Sequence, residues 1–180
     1  MRLGISTSLN GLTPHEWATK LVALGCKSVV FPVDCRADDA LIDEYVKEAR
    51  EHDLLIAEVG IWRNALDSSE NLQYSIDQLK LADRIGAVCC VNVAGSMGPR
   101  WDGGYAANFS KETYDLTVKM IQTVIDAVKP SKTYFSIESM PWMIPTSPEE
   151  YLELIKAVDR ERFAVHLDII NMINCPDRYF

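Results

Sequence analysis

The sequence has few basic residues, no long apolar run and no glycine-rich phosphate loop, and each absence narrows its possible functions. It contains 18 Lys and Arg against 26 Asp and Glu, a net charge of −8, so we do not expect a nucleic-acid partner, which needs a basic face. No run approaches the ~20 apolar residues that span a bilayer, so no membrane partner is expected. Neither a G-x-G-x-x-G nor a G-x-x-x-x-G-K-[ST] segment follows the first apolar run, which removes the main support for a nucleotide-binding sheet.

Cysteines are few, odd in number and without C-x-x-C spacing. The five are Cys26, Cys35, Cys89, Cys90 and Cys175. This pattern favours free thiols in a reducing compartment over a disulfide framework. The first six residues are typical of a strand and lack the apolar core of a signal peptide. We therefore expect a cytoplasmic protein.

The sequence does contain a regular alternation of short apolar runs and amphipathic segments. Apolar runs predict strands at 2–6, 27–33, 54–61, 87–94, 133–138 and 162–168. Period-3.6 patterns and N-cap motifs predict helices near 14–24, 39–52, 69–85, 110–128 and 147–158. Such alternation is typical of a parallel α/β sheet. Length and composition favour a single domain over residues 1–180.

An open doubly wound sheet and a (β/α)8 barrel both fit this alternation. Polar residues gather where the apolar runs end, at Glu58, Asn92, Glu138 and Asp168. Chemistry in barrels is concentrated at the carboxyl ends of the strands. The distribution therefore favours a barrel of which this chain holds about six βα units.

Glu138 and Asp168 are the strongest candidates for a chemical role. Strand periodicity places Glu138 with Ser136 on one face of the fifth strand, and Asp168 with His166 on one face of the sixth. If the alternate apolar residues (Phe135, Ile137, Phe163, Val165 and Leu167) pack under the outer helices, both carboxylates point inward. They would then end neighbouring strands ~4.8 Å apart in the pairing direction.

Two carboxylates at such a short distance repel each other unless a positive group lies between them. A divalent cation is the simplest such group; carboxylate and imidazole ligands favour Mn²⁺, with Mg²⁺, Co²⁺ or Zn²⁺ as competitors. Taken singly, each residue has a structural alternative. Glu138 could pair with a lysine or cap a backbone amide, and Asp168 could open a turn.

The stretch FSIESMPW…TSPEEYLELIKAVDRERFAVHLDIINMIN resembles the xylose-isomerase-like family of sugar isomerases and epimerases. Its specific part is E-x-M-P-W followed about thirty residues later by H-L-D. Within the family the chain is similar to proteins labelled sugar phosphate isomerase/epimerase, a group that includes subunits of bacterial C-glycoside-deglycosylating enzymes. The resemblance covers essentially the whole chain and implies the first six units of a (β/α)8 TIM barrel.

The resemblance implies that Glu138 and Asp168 bind one divalent metal ion, often Mn²⁺, and that Glu138 is also a catalytic acid/base. It implies a sugar or sugar phosphate substrate whose proton moves beside a carbonyl, through an enediolate. Two alternatives stay open: a subunit that cleaves C-glycosides, and a non-catalytic remnant. A homo- or hetero-oligomer is possible.

The resemblance also implies two further metal ligands, a histidine and a glutamate, on strands 7 and 8. The sequence stops at Phe180, after the sixth predicted strand, so we expect a C-terminally incomplete domain. The DNA-repair endonuclease branch of the family uses several histidines. This chain has only three, which weakens its resemblance to that branch. Some epimerases carry a substrate-binding histidine where this chain has Asn171, which weakens the case for ketose 3-epimerisation.

Six residues are candidates for substrate binding. His166 either orients a metal ligand or packs in the core, and Glu58 is either structural or a substrate contact. Trp142 either stacks on a sugar ring or plugs a loop. Arg100 and Trp101 lie in the glycine-rich segment 94–109 and could cover a sugar or phosphate. Asn171 completes the set.

Overall fold

Six short strands alternate with helices along the whole described chain. The computed structural model describes residues 1–6, 9 and 11–179. The strands are β1 (Gly4–Ile5), β2 (Ser28–Val30), β3 (Leu55–Gly60), β4 (Cys89–Asn92), β5 (Tyr134–Glu138) and β6 (Phe163–His166). The helices are α1 (Pro14–Ala23), α2 (Asp39–Glu51), α3 (Ser69–Ile85), α4 (Lys111–Val128), α5 (Pro148–Val158), α6 (Ile169–Met172) and α7 (Pro176–Tyr179). A 3₁₀ turn, Ala106–Phe109, precedes α4.

The strands form one parallel sheet in the order β1-β2-β3-β4-β5-β6. Every strand thus pairs with the next one along the chain. A doubly wound open sheet reverses its strand order at a switch point, whereas a β/α barrel does not. The predicted partial barrel of six βα units is therefore confirmed.

The helix boundaries follow from local capping chemistry. Thr13 and Glu16 form a reciprocal capping box at α1, with Pro14 at the first helical position. Gly86 ends α3 in the left-handed conformation, with φ of 74°, which costs glycine little. These features match the sequence motifs, which is why predicted and observed helices agree within a residue or two.

At α5 only one of the two hydrogen bonds of a capping box is formed. The Ser147 hydroxyl accepts a hydrogen bond from the Glu150 amide at 3.1 Å. The Glu150 carboxylate, however, accepts from the backbone amide (2.6 Å) and hydroxyl (3.0 Å) of Thr146 rather than from the amide of Ser147. Thr146 offers two donors, its backbone amide and its hydroxyl, so the Glu150 carboxylate bonds to Thr146 instead of Ser147.

The core lies between the sheet and the helices that cover its outer face. Phe135, Ile137 and Phe163 are buried there, as predicted from strand periodicity. Val165 and Leu167 are 46% and 60% exposed, so the expectation that they pack under helices is wrong. The helix that follows β6, α6, is only four residues long and does not cover them.

The five cysteines, all within the described ranges, are free thiols. Within those ranges, none of the helices combines the length and apolar character needed to cross a membrane.

Candidate active site

The carboxyl ends of β5 and β6 bring the predicted acidic residues together. In the β5–β6 register, Glu138 pairs with His166 and Ser136 with Ala164. Paired residues of neighbouring strands share a face of the sheet, so Glu138 and His166 lie side by side. Asp168 follows two residues beyond His166, where the chain leaves β6.

Glu138 is partly buried and interacts with a second carboxyl group. Burial raises the pKa of Glu138; the interaction with Asp168 and the charge of Glu58 raise it further, while His166 opposes them. The Glu138 Oε1 atom also accepts a hydrogen bond from the Asn171 side-chain amide at 3.4 Å. A carboxyl group with a raised pKa can hold or release a proton nearer to neutral pH, which suits acid/base chemistry.

Asp168 has the structural role that the sequence left open. It is the N-cap of α6, and its Oδ1 atom accepts a hydrogen bond from the Asn171 backbone amide at 3.1 Å. The buried Ser139 hydroxyl donates to the Asp168 carbonyl at 3.2 Å, which ties the end of β5 to the end of β6. Asn171 therefore contacts both acidic residues, Asp168 through its backbone and Glu138 through its side chain.

His166 links this pair to a third acidic residue. Its Nε2 atom lies 3.3 Å from the Glu58 carboxylate, although Glu58 belongs to β3. The hydrogen bond with Glu58 is the main cause of the raised pKa of His166, and the charges of Glu58, Glu138 and Asp168 add to it while burial opposes them. His166 therefore favours its cationic form among three carboxylates.

Two buried side-chain atoms in the described ranges have no hydrogen-bond partner, His166 Nδ1 and Asn92 Nδ2. Asn92 ends β4 and is fully buried, with its Oδ1 atom accepting from the Arg63 amide at 3.1 Å. Buried polar atoms are nearly always paired. These two orphaned atoms belong to residues at the same end of the sheet as the carboxylates, where a ligand could supply partners.

The acidic cluster carries excess negative charge. The formal charge of the cluster is −2 when its three carboxylates (Glu58, Glu138 and Asp168) are ionised and His166 is protonated. A divalent cation would balance that charge, and carboxylate oxygens suit Mg²⁺ and Mn²⁺. The donor chemistry therefore fits a divalent metal. The side chains are nevertheless not gathered at ligand distances: in the described part of the chain, the one trio of potential ligand atoms within 4.8 Å of one another is His15, Glu48 and His52.

The remaining predicted residues lie in the glycine-rich loop and its surroundings. The Trp142 indole donates to the Asp102 carbonyl at 2.7 Å, and the Trp142 carbonyl accepts from the Asn108 amide at 3.0 Å. Arg100 is largely exposed and pairs with Asp102 at 3.5 Å. Trp101 is 41% exposed, and its carbonyl accepts from the Ser96 amide. These three residues thus contact the loop segment itself, whereas Glu58, His166 and Asn171 contact the acidic cluster or belong to it.

Tyr151 is a positioning residue that the sequence pattern did not reveal. It lies on α5 and is 2% exposed. Its hydroxyl donates to the carbonyls of Ile137 and Ala164 and accepts from the His166 amide at 3.3 Å. It therefore holds the ends of β5 and β6 together beside the cluster. The apolar face of α5 predicts that Tyr151 is buried, but not where its hydroxyl lies.

A sheet of sequentially paired parallel strands, with an acidic cluster at their carboxyl ends, defines the barrel class of α/β enzyme folds. The family model described as Xylose isomerase-like TIM barrel matches residues 18–180. The chain therefore belongs to the xylose isomerase-like TIM barrel family. A sequence search of curated proteins finds no match.

Solved structures of this kind superpose on most of the chain. A xylose isomerase-like TIM barrel protein from Mycobacterium smegmatis, in complex with magnesium, is 17% identical with a TM-score of 0.67, over 91% of this chain and 59% of its own. D-Psicose 3-epimerase from Clostridium cellulolyticum H10, solved with D-tagatose, is 17% identical with a TM-score of 0.73, over 91% and 60%. The 3-keto-D-glucoside 4-epimerase from E. coli is 12% identical with a TM-score of 0.64, over 92% and 67%.

At these identities the likeness concerns the fold. The chain spans 59% of the length of the Mycobacterium smegmatis protein and 60% of the Clostridium epimerase.

Proposed function

We propose that this chain supplies two of the metal ligands of a divalent-metal-dependent isomerase or epimerase acting on a sugar or sugar phosphate. The observation that carries the proposal is that Asn171 donates hydrogen bonds to both Glu138 (3.4 Å) and Asp168 (3.1 Å). Both carboxylates therefore lie at the same end of the sheet. The epimerases among the structural neighbours support the substrate class, and the magnesium complex supports a divalent ion.

Glu138 and Asp168 would hold the ion, with Mn²⁺ the first candidate. When bound, the ion would act as a Lewis acid that stabilises negative charge on a substrate oxygen. Glu138 would also move the proton of the carbon beside the carbonyl, as a carboxylate placed beside the bound substrate. Asn171 would orient both carboxylates, and Glu58 would orient His166.

Calorimetric titration with Mn²⁺ tests the metal site on the 180-residue chain. Replacing Glu138 by Gln or Asp168 by Asn should weaken binding by at least ~10-fold, because loss of a ligand should exceed the effect of an outer-sphere change. Glu161→Gln is the matched control, because Glu161 is an exposed carboxylate on the turn before β6. Unchanged Mn²⁺ affinity in both site variants would contradict a shared site.

Deuterium uptake tests the chemistry. The protein is incubated with Mn²⁺ in D₂O together with aldoses, ketoses, their phosphates or 3-keto glycosides. Any longer product of the same reading frame is assayed in the same way. Glu138→Gln should lower the exchange of the reactive C–H by ~10²-fold or more, and Glu161→Gln should leave it unchanged. No uptake from any candidate by a metal-loaded protein would favour a non-catalytic role.

A further inference from the structure

A second group of metal-ligand side chains lies away from the acidic cluster, on two outer helices. His15 is in the first turn of α1, and Glu48 and His52 lie one turn apart at the end of α2. One ligand atom from each residue lies within 4.8 Å of the other two. The fold thus brings His15 next to residues 33 and 37 positions further along the chain.

The individual distances show a compact trio. His15 Nδ1 lies 3.0 Å from Glu48 Oε2, and His52 Nδ1 lies 3.6 Å from the same oxygen. The two imidazole rings meet edge to face, with centroids 5.7 Å apart. In tetrahedral zinc sites with ligand bonds of about 2.0–2.1 Å, neighbouring ligand atoms are about 3.4 Å apart. The His15–Glu48 distance is already close to that spacing. The His52 Nδ1 distance shows only how near the ring lies, because the ligand atom of His52 is its other nitrogen.

Hydrogen bonding prepares His52 to bind a metal. Its Nδ1 atom lies 3.0 Å from the Glu48 backbone carbonyl, and a carbonyl oxygen can only accept, so Nδ1 carries the hydrogen. The lone pair of the neutral ring is then on Nε2. Ligating histidines are commonly held in this way, with the other ring nitrogen donating to a carbonyl or carboxylate.

We infer that His15, Glu48 and His52 form a binding site for a divalent ion of the zinc type, which joins the start of α1 to the end of α2. Two imidazoles and one carboxylate select Zn²⁺, Co²⁺, Ni²⁺ or Cu²⁺ over Mg²⁺ and Mn²⁺. Glu48 is 15% exposed and His52 23%, whereas His15 is 68% exposed. Two of the ligands are therefore held in place while the third closes over the ion. The site is a structural clamp and takes no part in the sugar chemistry.

Zinc calorimetry in the presence of excess Mg²⁺ tests this inference, because Mg²⁺ competes for carboxylate-rich sites and not for imidazoles. The wild-type chain should bind one equivalent of Zn²⁺ that His15→Ala and His52→Ala each weaken by at least ~10-fold. Glu51→Gln is the matched control; Glu51 is an exposed acidic residue of the same helix, paired with Lys47. This variant should bind zinc as the wild type does.

Thermal unfolding supplies a second readout, since an ion that binds only the folded chain raises its melting temperature. Zn²⁺ should raise the melting temperature of the wild type, of Glu51→Gln and of the double variant Glu138→Gln/Asp168→Asn, but not that of His15→Ala. Equal zinc binding by the wild type and both histidine variants would overturn the site and leave the His15–Glu48 contact as an ordinary ion pair. Loss of the zinc equivalent in the double variant alone would overturn it as well.

Discussion

Glu58 on β3 and His166 at the end of β6 are in hydrogen-bond contact at 3.3 Å, although β4 and β5 lie between their strands. In a flat sheet, strands three places apart are separated by about 14 Å. The contact is made on the face that carries the acidic cluster, so the sheet is curved with that face inside. This curvature is what a closing barrel requires, and it gathers residues from distant strands at one point.

Asn171 should contribute to metal binding without being a ligand. It donates to Glu138 through its side chain and to Asp168 through its backbone. Asn171→Ala removes only the first of these bonds, so we expect Mn²⁺ affinity to fall by about 10-fold, at the low end for outer-sphere residues. Calorimetry measures the loss. Gln73→Ala, which removes an exposed side-chain amide bonded to Asp77 on α3, is the control; an equal loss in both variants would contradict a specific role for Asn171.

Tyr151→Phe should destabilise the fold by about 1–2 kcal/mol, because it removes a hydroxyl that bonds backbone groups of Ile137 on β5 and of Ala164 and His166 on β6. A loss of that size lowers the melting temperature of a chain this long by about 2–4 °C per kcal/mol. Differential scanning calorimetry measures it. Tyr134→Phe, at a residue that is 38% exposed, should change the melting temperature little. Similar melting temperatures for both variants would show that the Tyr151 hydroxyl is unimportant.

Asp83 should make stability depend on pH in the acid range. Burial opposes ionisation, but hydrogen bonds from the backbone amides of Ser131, Lys132 and Thr133 outweigh it, and the pKa of Asp83 is lowered. A lowered pKa in the folded state means that the carboxylate stabilises the fold above its unfolded pKa of about 3.9. That stabilisation disappears as the pH falls through the folded value.

Asp83→Asn should therefore lower the free energy of unfolding by about 1–2 kcal/mol at neutral pH, and the difference from wild type should shrink below about pH 4. Urea titrations across the acid range measure it. The control is Asp77→Asn on the same helix, whose partner is the exposed Lys80; an exposed pair contributes little. A difference that stays constant down to low pH would contradict the role of the charge.

The 180-residue chain should self-associate through the β6 edge. Leu167, Ile169 and Ile170 are 60%, 63% and 77% exposed and are nearly consecutive, and β6 pairs on one side only within the described sheet. Exposed apolar residues beside an unpaired strand edge promote association. Ile170→Lys should shift sedimentation velocity profiles towards the monomer. Leu152→Lys is the control, because Leu152 is 58% exposed but lies on α5; monomeric wild-type protein at high concentration would contradict the prediction.

The element pattern and the pairing of Glu138 with β6 could be derived from the sequence because they depend on short-range chemistry. Capping residues such as Thr13 and Ser147 satisfy the first amides of their own helices. Strand periodicity groups Glu138 with Ser136 and His166 with Ala164, and the register pairs these two sets. These interactions involve neighbouring residues or adjacent strands, so their outcome can be read from spacing. For Asp168 the sequence allowed a turn-opening role beside the metal-binding one, and its position as the N-cap of α6 is known only from the structure.

The contacts on which both proposed sites rest were decided by the tertiary structure. The curvature of the sheet brings Glu58 to His166, and the packing of α1 on α2 brings His15 to Glu48. The exposure of Val165 and Leu167 depends on which elements cover β6. Neither periodicity nor capping specifies such distances, because they result from how whole strands and helices pack, and side chains far apart in the sequence meet only once that packing is complete.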